Sequence, residues 1–279
     1  MFRRHSLPCP VLQPYIDRLW GWEGECGLPF APMLPGTGAE LMFHFGEPLS
    51  INNALSGRRN LGPAFLLCSR NAPHLLGTPG RLDFLAVRFR SGALRHFCPR
   101  PLLELMDDAF PIADVWGQDG RDIVERLATA PTRTARVAVI EDWLLRLLAR
   151  HHLHQPVVEL ATRALYYRHH HLRIDDLAEQ AGCSRRTLER VFRAATGLTP
   201  KGFQRRARFQ LTARDLLLHQ PADSLTTALD HGYYDQAHFI HDFRRFTGMS
   251  PNRFIHQTQH LAHFYNPSIF PPDRVPTPR

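Results

Sequence analysis

Residues Gly232 to Pro251 read GYYDQAHFIHDFRRFTGMSP, and this stretch decides how the rest of the chain is interpreted. Asp235 predicts a helix start, because its carboxylate can accept a hydrogen bond from a backbone amide two or three residues further on. Gly248 and the proline that follows it predict the end of the helix. The apolar positions recur at helical spacing and predict a buried face: Phe239, Phe243 and Phe246. Taken alone, the stretch predicts an amphipathic surface helix.

A second copy of this pattern lies fifty-one residues upstream. Residues 192–203 match residues 243–254 and share the motif Phe-Arg-x-x-Thr-Gly-x-Ser/Thr-Pro. The helix cap is repeated as Ser184 and the turn glycine as Gly182. Each copy therefore predicts a short helix, a turn at glycine and a longer capped helix. This is the helix-turn-helix arrangement, in which the second helix can lie in a DNA major groove. Two copies are too few for a solenoid, which needs at least three repeats.

These motifs give the chain a family resemblance. Residues 157–255 resemble the DNA-binding domain of the AraC/XylS family of bacterial transcription regulators, over about a third of the chain. The resemblance implies an α+β protein with a β-rich amino-terminal domain, often cupin-like in this family, that also contains helices. An all-α domain with two helix-turn-helix units then follows. The expected divisions are a sensor or dimerisation domain at 1–150, a linker at 151–156, a DNA-binding domain at 157–256, and a Pro-rich, disordered tail at 257–279.

Length and composition limit the class of protein. A chain of 279 residues exceeds the usual single-domain size, so two domains are expected. No run approaches the ~20 apolar residues that span a membrane, and no apolar segment follows the basic amino terminus, so we expect neither a membrane anchor nor a secretory signal. The five cysteines are odd in number and never spaced as Cys-x-x-Cys, which disfavours a disulfide framework or zinc ribbon and favours a cytoplasmic location.

Positive charge is concentrated where the repeat lies. Of 34 basic residues only Lys201 is a lysine. Arginine can bind phosphate or guanine through two hydrogen bonds, although a GC-rich genome would produce the same arginine bias. Residues 1–156 hold 17 basic and 15 acidic residues, whereas residues 157–256 hold 15 and 10. A surplus in the second segment is what nucleic-acid binding requires.

The outward faces of the two longer helices supply the candidate base contacts. The resemblance places the base-reading positions of the first unit on Arg186, Glu189 and Arg190. Arginine suits guanine, and glutamate can accept from a cytosine amino group; alternatively, Glu189 only pairs with neighbouring arginines. In the second unit, glutamine can read adenine and apolar side chains can contact a thymine methyl. The base-reading candidates are Arg185, Arg186, Thr187, Glu189, Arg190, Gln236, Ala237, His238, Ile240 and His241.

Other residues are expected to contact phosphates, which give affinity without sequence information. In the family, a helix corresponding to residues 202–219 connects the two units and holds the reading helices about one DNA turn, roughly 34 Å, apart. The first unit carries more charge than the second and is expected to dominate specificity. The phosphate candidates are Ser184, Arg193, Lys201, Arg205, Arg206, Arg244 and Arg245.

The first 100 residues contain short alternating segments between turn signals, which predict a β-sandwich or barrel. In residues 40–45, Leu41 and Phe43 fall on one face of a predicted strand, and Met42 and His44 on the other. A cupin metal site needs paired histidines on one strand, whereas His44 stands alone on its strand, so we expect no metal. No catalytic or phosphate-binding motif is found either, so we expect no cofactor and no enzyme. Met42, His44 and Arg88 are candidates for a ligand pocket, with ordinary core and surface roles as the alternative.

Residues 101–150 have a helical pattern. We predict a short helix at 122–127 and a longer one that Thr132 caps. Ser91 is expected to cap a further helix that runs towards Phe97. The longer helix has an apolar stripe that either packs on the sheet of its own domain or forms a dimer interface. Its members are Val137, Ile140, Trp143, Leu144, Leu147 and Leu148.

The sequence thus predicts a sequence-specific transcription regulator whose two recognition helices read successive major grooves of double-stranded DNA. Control by a small effector, or by homodimerisation through the amino-terminal domain, is expected from the resemblance, as is contact with RNA polymerase in an activator. The alternatives are a small-molecule enzyme with a DNA-targeting module and a DNA-bending architectural protein. The operator, the effector and the direction of regulation are not encoded in any motif.

Overall fold

The computed structural model describes residues 2–25, 32–47, 49–53, 57–77, 80–170, 172–219 and 223–258. The first of these ranges hold the β-structure and the later ones are helical, as the resemblance predicts. The tail that we predict to be disordered begins at residue 257 and lies, apart from its first two residues, outside the described ranges. No helix in the described part of the chain is long and apolar enough to cross a membrane.

The strands form two antiparallel sheets. The strands in the described ranges are β1 (Phe2–Ser6), β2 (Ile16–Glu25), β3 (Glu40–His44), β4 (Ser50–Asn53), β5 (Gly57–Asn60), β6 (Ala64–Leu67), β7 (Leu75–Gly77), β8 (Arg81–Phe89) and β9 (Ala109–Pro111). The larger sheet has the order β1-β2-β8-β3-β6-β9 and the smaller one the order β5-β4-β7. The prediction of a β-rich amino-terminal part is confirmed.

Strand β3 lies inside the larger sheet and is buried on both faces. Leu41 and Phe43 pack into a core shared with helices, whereas Met42 packs into a second core together with residues of the smaller sheet such as Ile51 and Leu76. The predicted alternation is confirmed, because successive side chains of a strand point to opposite faces. The larger sheet is therefore the middle layer between helices and the smaller sheet.

The helices follow the sheets in the chain. The α-helices are α1 (Ile112–Trp116), α2 (Gln118–Thr129), α3 (Arg133–His151), α4 (Pro156–Tyr167), α5 (Ile174–Gln180), α6 (Arg185–Thr196), α7 (Pro200–His219), α8 (Ser224–Asp230), α9 (Gln236–Thr247) and α10 (Pro251–Thr258). Two 3-10 turns, at Ala93–His96 and Leu102–Leu105, precede them. Helix α2 is longer than the predicted 122–127 segment. The predicted cap at Ser91 is wrong: Gly92 precedes the turn without a side-chain cap, and the Ser91 hydroxyl lies 2.7 Å from that of Thr37.

The apolar stripe of α3 faces the larger sheet. Trp143 is 3% exposed and makes edge-to-face contacts with Phe43 and Trp116, at ring-centroid distances of 6.4 and 5.3 Å. Thr132 caps α3 as predicted, since its side chain accepts a hydrogen bond from the Ala135 amide. The stripe belongs to the core of its own chain, so the alternative that it forms a dimer interface is wrong.

Each helix-turn-helix unit has its own core. In the first unit, Phe192 of α6 packs edge-on against Phe203 of α7, and α4 and α5 complete the cluster. In the second unit, Phe209 of α7 packs against Phe243 of α9, together with residues of α8 and α10. Helix α7 therefore contributes to both cores. This agrees with its expected role as the connector.

Four buried histidines make the stability of this fold depend on pH. Burial is the main reason why the pKa of each of these histidines is lowered. The pKa falls to about 4 in His44, His74 and His169, and to about 3 in His96. In the unfolded chain a histidine titrates near pH 6.5. Between about pH 6.5 and 4 the unfolded state therefore binds more protons, and stability is lost as the pH falls through this window. We expect the free energy of unfolding to decrease between pH 7 and pH 5 by on the order of 1–2 kcal/mol per histidine.

Urea denaturation at a series of pH values measures this loss. His44 offers a clean variant, because its ring is stacked on Phe65 and its Nε2 atom has no hydrogen-bond partner among the described residues. His44→Leu should reduce the pH dependence, whereas substitution of the exposed His256 by glutamine should leave it unchanged. Equal pH dependence in His44→Leu and the parent protein would contradict the assignment.

Candidate nucleic-acid interface

Helix α6 begins at a side-chain cap, as predicted. The Ser184 hydroxyl oxygen accepts a hydrogen bond of 3.1 Å from the Thr187 amide, and the two side-chain hydroxyls lie 2.9 Å apart. Leu188 and Phe192 are fully buried. Because these side chains fix one face of the helix against the core, the opposite face is presented to solvent.

The outward face of α6 holds both paired and unpaired arginines. Arg185 donates to Glu189 at 3.0 Å and to Asp175 of α5 at 3.2 Å, so the alternative that Glu189 pairs with a neighbouring arginine is realised in this structure. Arg186 and Arg190 are exposed and make no hydrogen bond or ion pair with any described residue. The two guanidinium groups can therefore bind DNA without first breaking an internal contact.

Helix α9 has the same construction with different outward residues. Asp235 accepts a hydrogen bond of 2.7 Å from the His238 amide and caps the helix as predicted. Gln236, Ala237 and His241 are exposed. Ile240, in contrast, is partly buried and packs on the core of the second unit. The base-reading surface of α9 is therefore narrower than the sequence pattern predicts.

His238 is turned towards the connector. Its Nε2 atom lies 3.1 Å from a guanidinium nitrogen of Arg208 in α7. Partial burial, followed by the charge of Arg208, lowers the pKa of His238. The structure thus gives this ring an internal partner in addition to the DNA contact that we predict for it.

Two of the expected phosphate-binding arginines are used inside the protein. Arg206 is 5% exposed and donates to Ser69 Oγ at 3.0 Å and to the side chain of Asn71, both in the amino-terminal part. Burial lowers the pKa of Arg206 to about 10. In this arrangement Arg206 holds α7 against the amino-terminal part and has no exposed guanidinium to offer a phosphate.

Arg205 is the second of these arginines. Its Nε atom donates to Asp242 Oδ1 at 2.6 Å, and Arg208 donates to the other carboxylate oxygen at 3.0 Å. Asp242 lies on the inner face of α9 and is 1% exposed. Burial alone would raise the pKa of Asp242, but the hydrogen bonds and charges of Arg205 and Arg208 outweigh burial and hold the pKa below its usual range. The sequence reasoning missed Asp242, although an acid beside three core phenylalanines was a signal for a buried pair.

The other phosphate candidates differ in how available they are. Arg193, Arg244 and Arg245 are exposed and have no partner among the described residues. The Lys201 ammonium group donates to Gln204 at 3.0 Å, and the Ser184 hydroxyl is already used as a helix cap. The arginines at the carboxyl-terminal halves of α6 and α9 are thus the freest cations of the set.

A cavity of about 600 Å³ lies between the larger sheet and helices α4 and α7. Met42 and Arg88, two of the three predicted pocket residues, line it. His44 does not, because it lies further along β3, where its ring is stacked on Phe65 and lies tilted against Phe84. That part of the pocket prediction is wrong. No local pattern indicates that α4 and α7 complete the wall, because the wall forms only where the two parts of the chain pack together.

No group of three or more metal-binding side chains is found within the described ranges. His96 and His152 are stacked at a ring-centroid distance of 4.9 Å, and His152 Nε2 lies 3.0 Å from the Tyr15 hydroxyl, so these rings are part of the packing near the linker. His169 likewise has its Nδ1 atom 3.0 Å from the backbone carbonyl of Tyr166.

The helix-turn-helix units match known proteins. Residues 177–257 match the helix-turn-helix domain family. Over 83 residues the chain is 35% identical to the HTH-type transcriptional activator RhaR of Salmonella arizonae. The two capped helices, α6 and α9, lie within residues 177–257. These matches support the resemblance to the AraC/XylS family of transcription regulators over part of the chain.

The match to RhaR covers 30% of this chain and 29% of RhaR, so the chain spans less than a third of the length of the curated relatives it matches. The amino-terminal part matches a different family over residues 4–111, described as a domain of unknown function, DUF6597. The similarity to RhaR thus covers less than a third of either chain.

Two solved structures resemble this chain in fold. ToxT from Vibrio cholerae superposes with a TM-score of 0.50 at 7% identity, over 85% of this chain and 98% of ToxT. The carboxyl-terminal domain of AraT, a response regulator from Geobacillus stearothermophilus, has 25% identity and a TM-score of 0.34, over 37% of this chain and 86% of that domain. The likeness to ToxT concerns the fold alone and agrees with the order of a β-rich part followed by the helix-turn-helix part.

Asp242→Ala tests whether the buried carboxylate holds α9 on α7. The substitution leaves two guanidinium groups without their shared partner, and removing one member of a buried ion pair is strongly destabilising. Because Arg205 and Arg208 keep some contact with solvent, we expect a loss near the lower end of the usual range, about 3 kcal/mol in the free energy of unfolding.

Urea denaturation of Asp242→Ala and of the parent protein measures this difference. Asp230→Ala, an exposed substitution at the end of α8, is the matched control and should change stability by less than about 0.5 kcal/mol. Equal stability of Asp242→Ala and the control would show that the pair contributes nothing to the fold.

Proposed function

We propose that the protein is a sequence-specific transcription regulator that inserts α6 and α9 into successive major grooves of DNA. One observation carries the proposal: two helices of the same capped construction each present an exposed, polar face. The charge surplus of residues 157–256 supports it, because phosphate neutralisation supplies most of the affinity of such proteins. The proposed division of the chain remains 1–150, a linker at 151–156, and a DNA-binding domain at 157–256.

The two kinds of DNA contact have different candidates. Arg186 and Arg190 lie in the first half of α6 and have no partner among the described residues, as an arginine that binds guanine O6 and N7 requires. Arg193 in the second half of α6 and Arg244 in the second half of α9 are the candidates for phosphate contact. Gln236, Ala237 and His241 are the candidates that α9 presents. We propose that α6 contributes more of the specificity than α9, since its face carries more charge.

Arg190→Ala tests the base-reading role. We expect a loss of about 1–3 kcal/mol in binding to the preferred sequence, together with relaxed preference at one base pair, because a bidentate contact to a base edge discriminates by this amount. Arg193→Ala is the matched control, an arginine one turn further along the same helix. It should weaken binding to all sequences alike and reduce the slope of log K against log salt by about one.

Selection from random DNA first defines the preferred sequence, and fluorescence anisotropy then measures affinity for that sequence and for random DNA. Equal losses of Arg190→Ala on both DNAs would exclude a base contact. Absence of any preferred sequence for the parent protein would overturn the proposed function and favour the architectural alternative.

We further propose that the cavity between the two parts of the chain binds a small effector. Its wall comes from β2, β3 and β8, from residues 32–39, and from α4 and α7. A ligand there would contact the amino-terminal part and the DNA-binding part together. Such a ligand favours one relative position of the two parts over others, and this differential affinity is what effector control requires.

The charges of the wall indicate the class of effector. Among the described wall residues are six arginines and three acids, which leave an excess of three positive charges; the arginines are Arg70, Arg88, Arg90, Arg95, Arg163 and Arg214. Ion pairs bind some of them, such as Arg88 with Glu40 at 2.8 Å. Trp20, Met42 and Tyr166 supply apolar surface. We propose an organic anion with an apolar body, which would satisfy both parts of the wall.

The cavity wall is also continuous with the reading units. Leu34 lines the cavity and is packed in the core of the second unit, beside Phe209. Gln210 of α7 lines the cavity too, and its side-chain oxygen accepts a hydrogen bond of 3.0 Å from the Thr37 amide. A ligand that shifts residues 32–37 would therefore disturb the second unit directly.

Thermal unfolding in the presence of aliphatic and aromatic carboxylates, each paired with its primary amide, tests the effector class. A carboxylate present at a hundredfold excess over its Kd should stabilise the protein by about 2.7 kcal/mol and raise Tm by about 5 °C or more. The amide should not, because it lacks the charge that the arginines attract.

Arg214→Gln should reduce the shift in Tm that the best carboxylate produces, since Arg214 lines the cavity and its ion pair is with the adjacent Asp215. Arg253→Gln, an exposed arginine of α10 outside the cavity, is the matched control and should leave the shift unchanged. Equal shifts from carboxylates and amides, or none from either, would rule out an organic anion as the effector.

A further inference from the structure

The turns of the two helix-turn-helix units have the same backbone but different surroundings. Gly182 and Gly232 both have left-handed backbone, with φ of 64° and 82°. A Cβ atom added to Gly182 would meet no atom within 4 Å, whereas one added to Gly232 would lie 2.5 Å from the Cβ atom of His170. The turn of the second unit is thus pressed against the segment that joins α4 to α5 in the first.

Two histidine rings stack beside this point. His169, in the α4–α5 segment, and His231, in the turn of the second unit, have ring centroids 5.6 Å apart and an interplanar angle of 14°. His231 Nε2 also lies 2.9 Å from a carboxylate oxygen of Asp215 in α7. His169 is 5% exposed, so the stack is closed to solvent on the side of the first unit.

Helix α7 is hydrogen-bonded on one side to the α4–α5 segment and to the turn of the second unit. The Gln204 amide group donates to the backbone carbonyls of His169 and Leu172, each at 2.7 Å. One helical turn later, Arg208 donates to the carbonyl of Gly232 at 3.3 Å. Residues four apart lie on the same face of a helix, so these bonds form one row along α7. We refer to His169, His170, His231 and Gly232, with Gln204, Arg208 and Asp215, as the inter-unit contact.

We propose that the inter-unit contact fixes the distance and angle between α6 and α9, and so determines which spacing of half-sites on DNA the protein accepts. The proposal rests on the proposed function, because it concerns how the two reading helices are used together. Helix α7 connects the units through its side chains in the two cores. The direct contact of His169 and His170 with His231 and Gly232 adds a second restraint on the position of one unit relative to the other.

The consequence for DNA is geometric. Two reading helices on one side of a duplex bind half-sites about 10–10.5 base pairs apart, centre to centre. A rigid pair loses contacts at one site when this distance changes by a single base pair, whereas a flexible pair adjusts. The inter-unit contact is therefore a determinant of half-site spacing and leaves the base preference within each half-site to α6 and α9.

The experiment uses the full chain and a DNA library in which the two selected half-sites keep their sequence while the separation between them varies one base pair at a time. The parent protein should bind the best spacing at least about tenfold more tightly than spacings one base pair longer or shorter. Tenfold in affinity corresponds to about 1.4 kcal/mol, which lies within the usual range of interaction energies between contacting residues. His231→Ala, which removes the stack and the bond to Asp215, should reduce this ratio by about threefold or more. Its base preference within each half-site should stay the same.

Three further variants complete the test. His256→Ala removes an exposed histidine outside the contact and should keep the spacing profile of the parent. Gly232→Ala and Gly182→Ala put the same side chain on the same left-handed backbone, but only the former collides with His170, so only it should alter the profile. Should His231→Ala fail to fold, His231→Gln takes its place, because it removes the ring that stacks on His169 but keeps a polar side chain beside Asp215.

The outcomes separate the two proposals. A parent protein without sequence preference overturns the proposed function. A parent with sequence preference but equal affinity for all spacings overturns the spacing proposal alone. The spacing proposal is also overturned if the folded histidine variant, His231→Ala or His231→Gln, and the Gly232→Ala variant both keep the spacing profile of the parent.

Discussion

The carboxylate of Asp242 lies inside the protein between two arginines of α7, and the position of α9 depends on this ion pair. A buried charge without a partner is costly, so α9 packs in the second unit only where both guanidinium groups reach the carboxylate. The guanidinium groups of Arg205 and Arg208 are therefore engaged inside the protein, although both keep some contact with solvent. From composition alone, the arginines of α7 would be assigned to phosphate binding. In the structure, two of them stabilise the packing of α9 on α7.

Helix α7 contacts three parts of the protein. Its Phe203 belongs to the first core, its Phe209 to the second, and its Arg206 is bonded to the amino-terminal part. A displacement of α7 would therefore move side chains in both cores and the guanidinium group that is bonded to the amino-terminal part. An effector that changes how the amino-terminal part sits on α7 would change the geometry of both reading helices, which is a physical route for control without a separate relay.

Local rules account for what could be predicted from the sequence. The caps at Thr132, Ser184 and Asp235 depend on atoms within three residues, and the alternation of β3 depends only on the pleat. The partner of Arg206 lies more than 130 positions away in the chain, and no local pattern indicates it. His44 was placed on the right face of β3 but not at the right position along it, because the cavity exists only where α4 and α7 cover the sheet.

A repeated sequence need not have repeated contacts. The two units share their caps, their stop glycines and their core phenylalanines, since these residues serve each unit internally. The surroundings of the two turns are not shared: one turn faces open space and the other lies against the neighbouring unit. A single copy of the motif provides a helix that can enter a groove. The second copy adds the inter-unit contact, which can fix the separation of α6 and α9. Neither copy alone determines that separation.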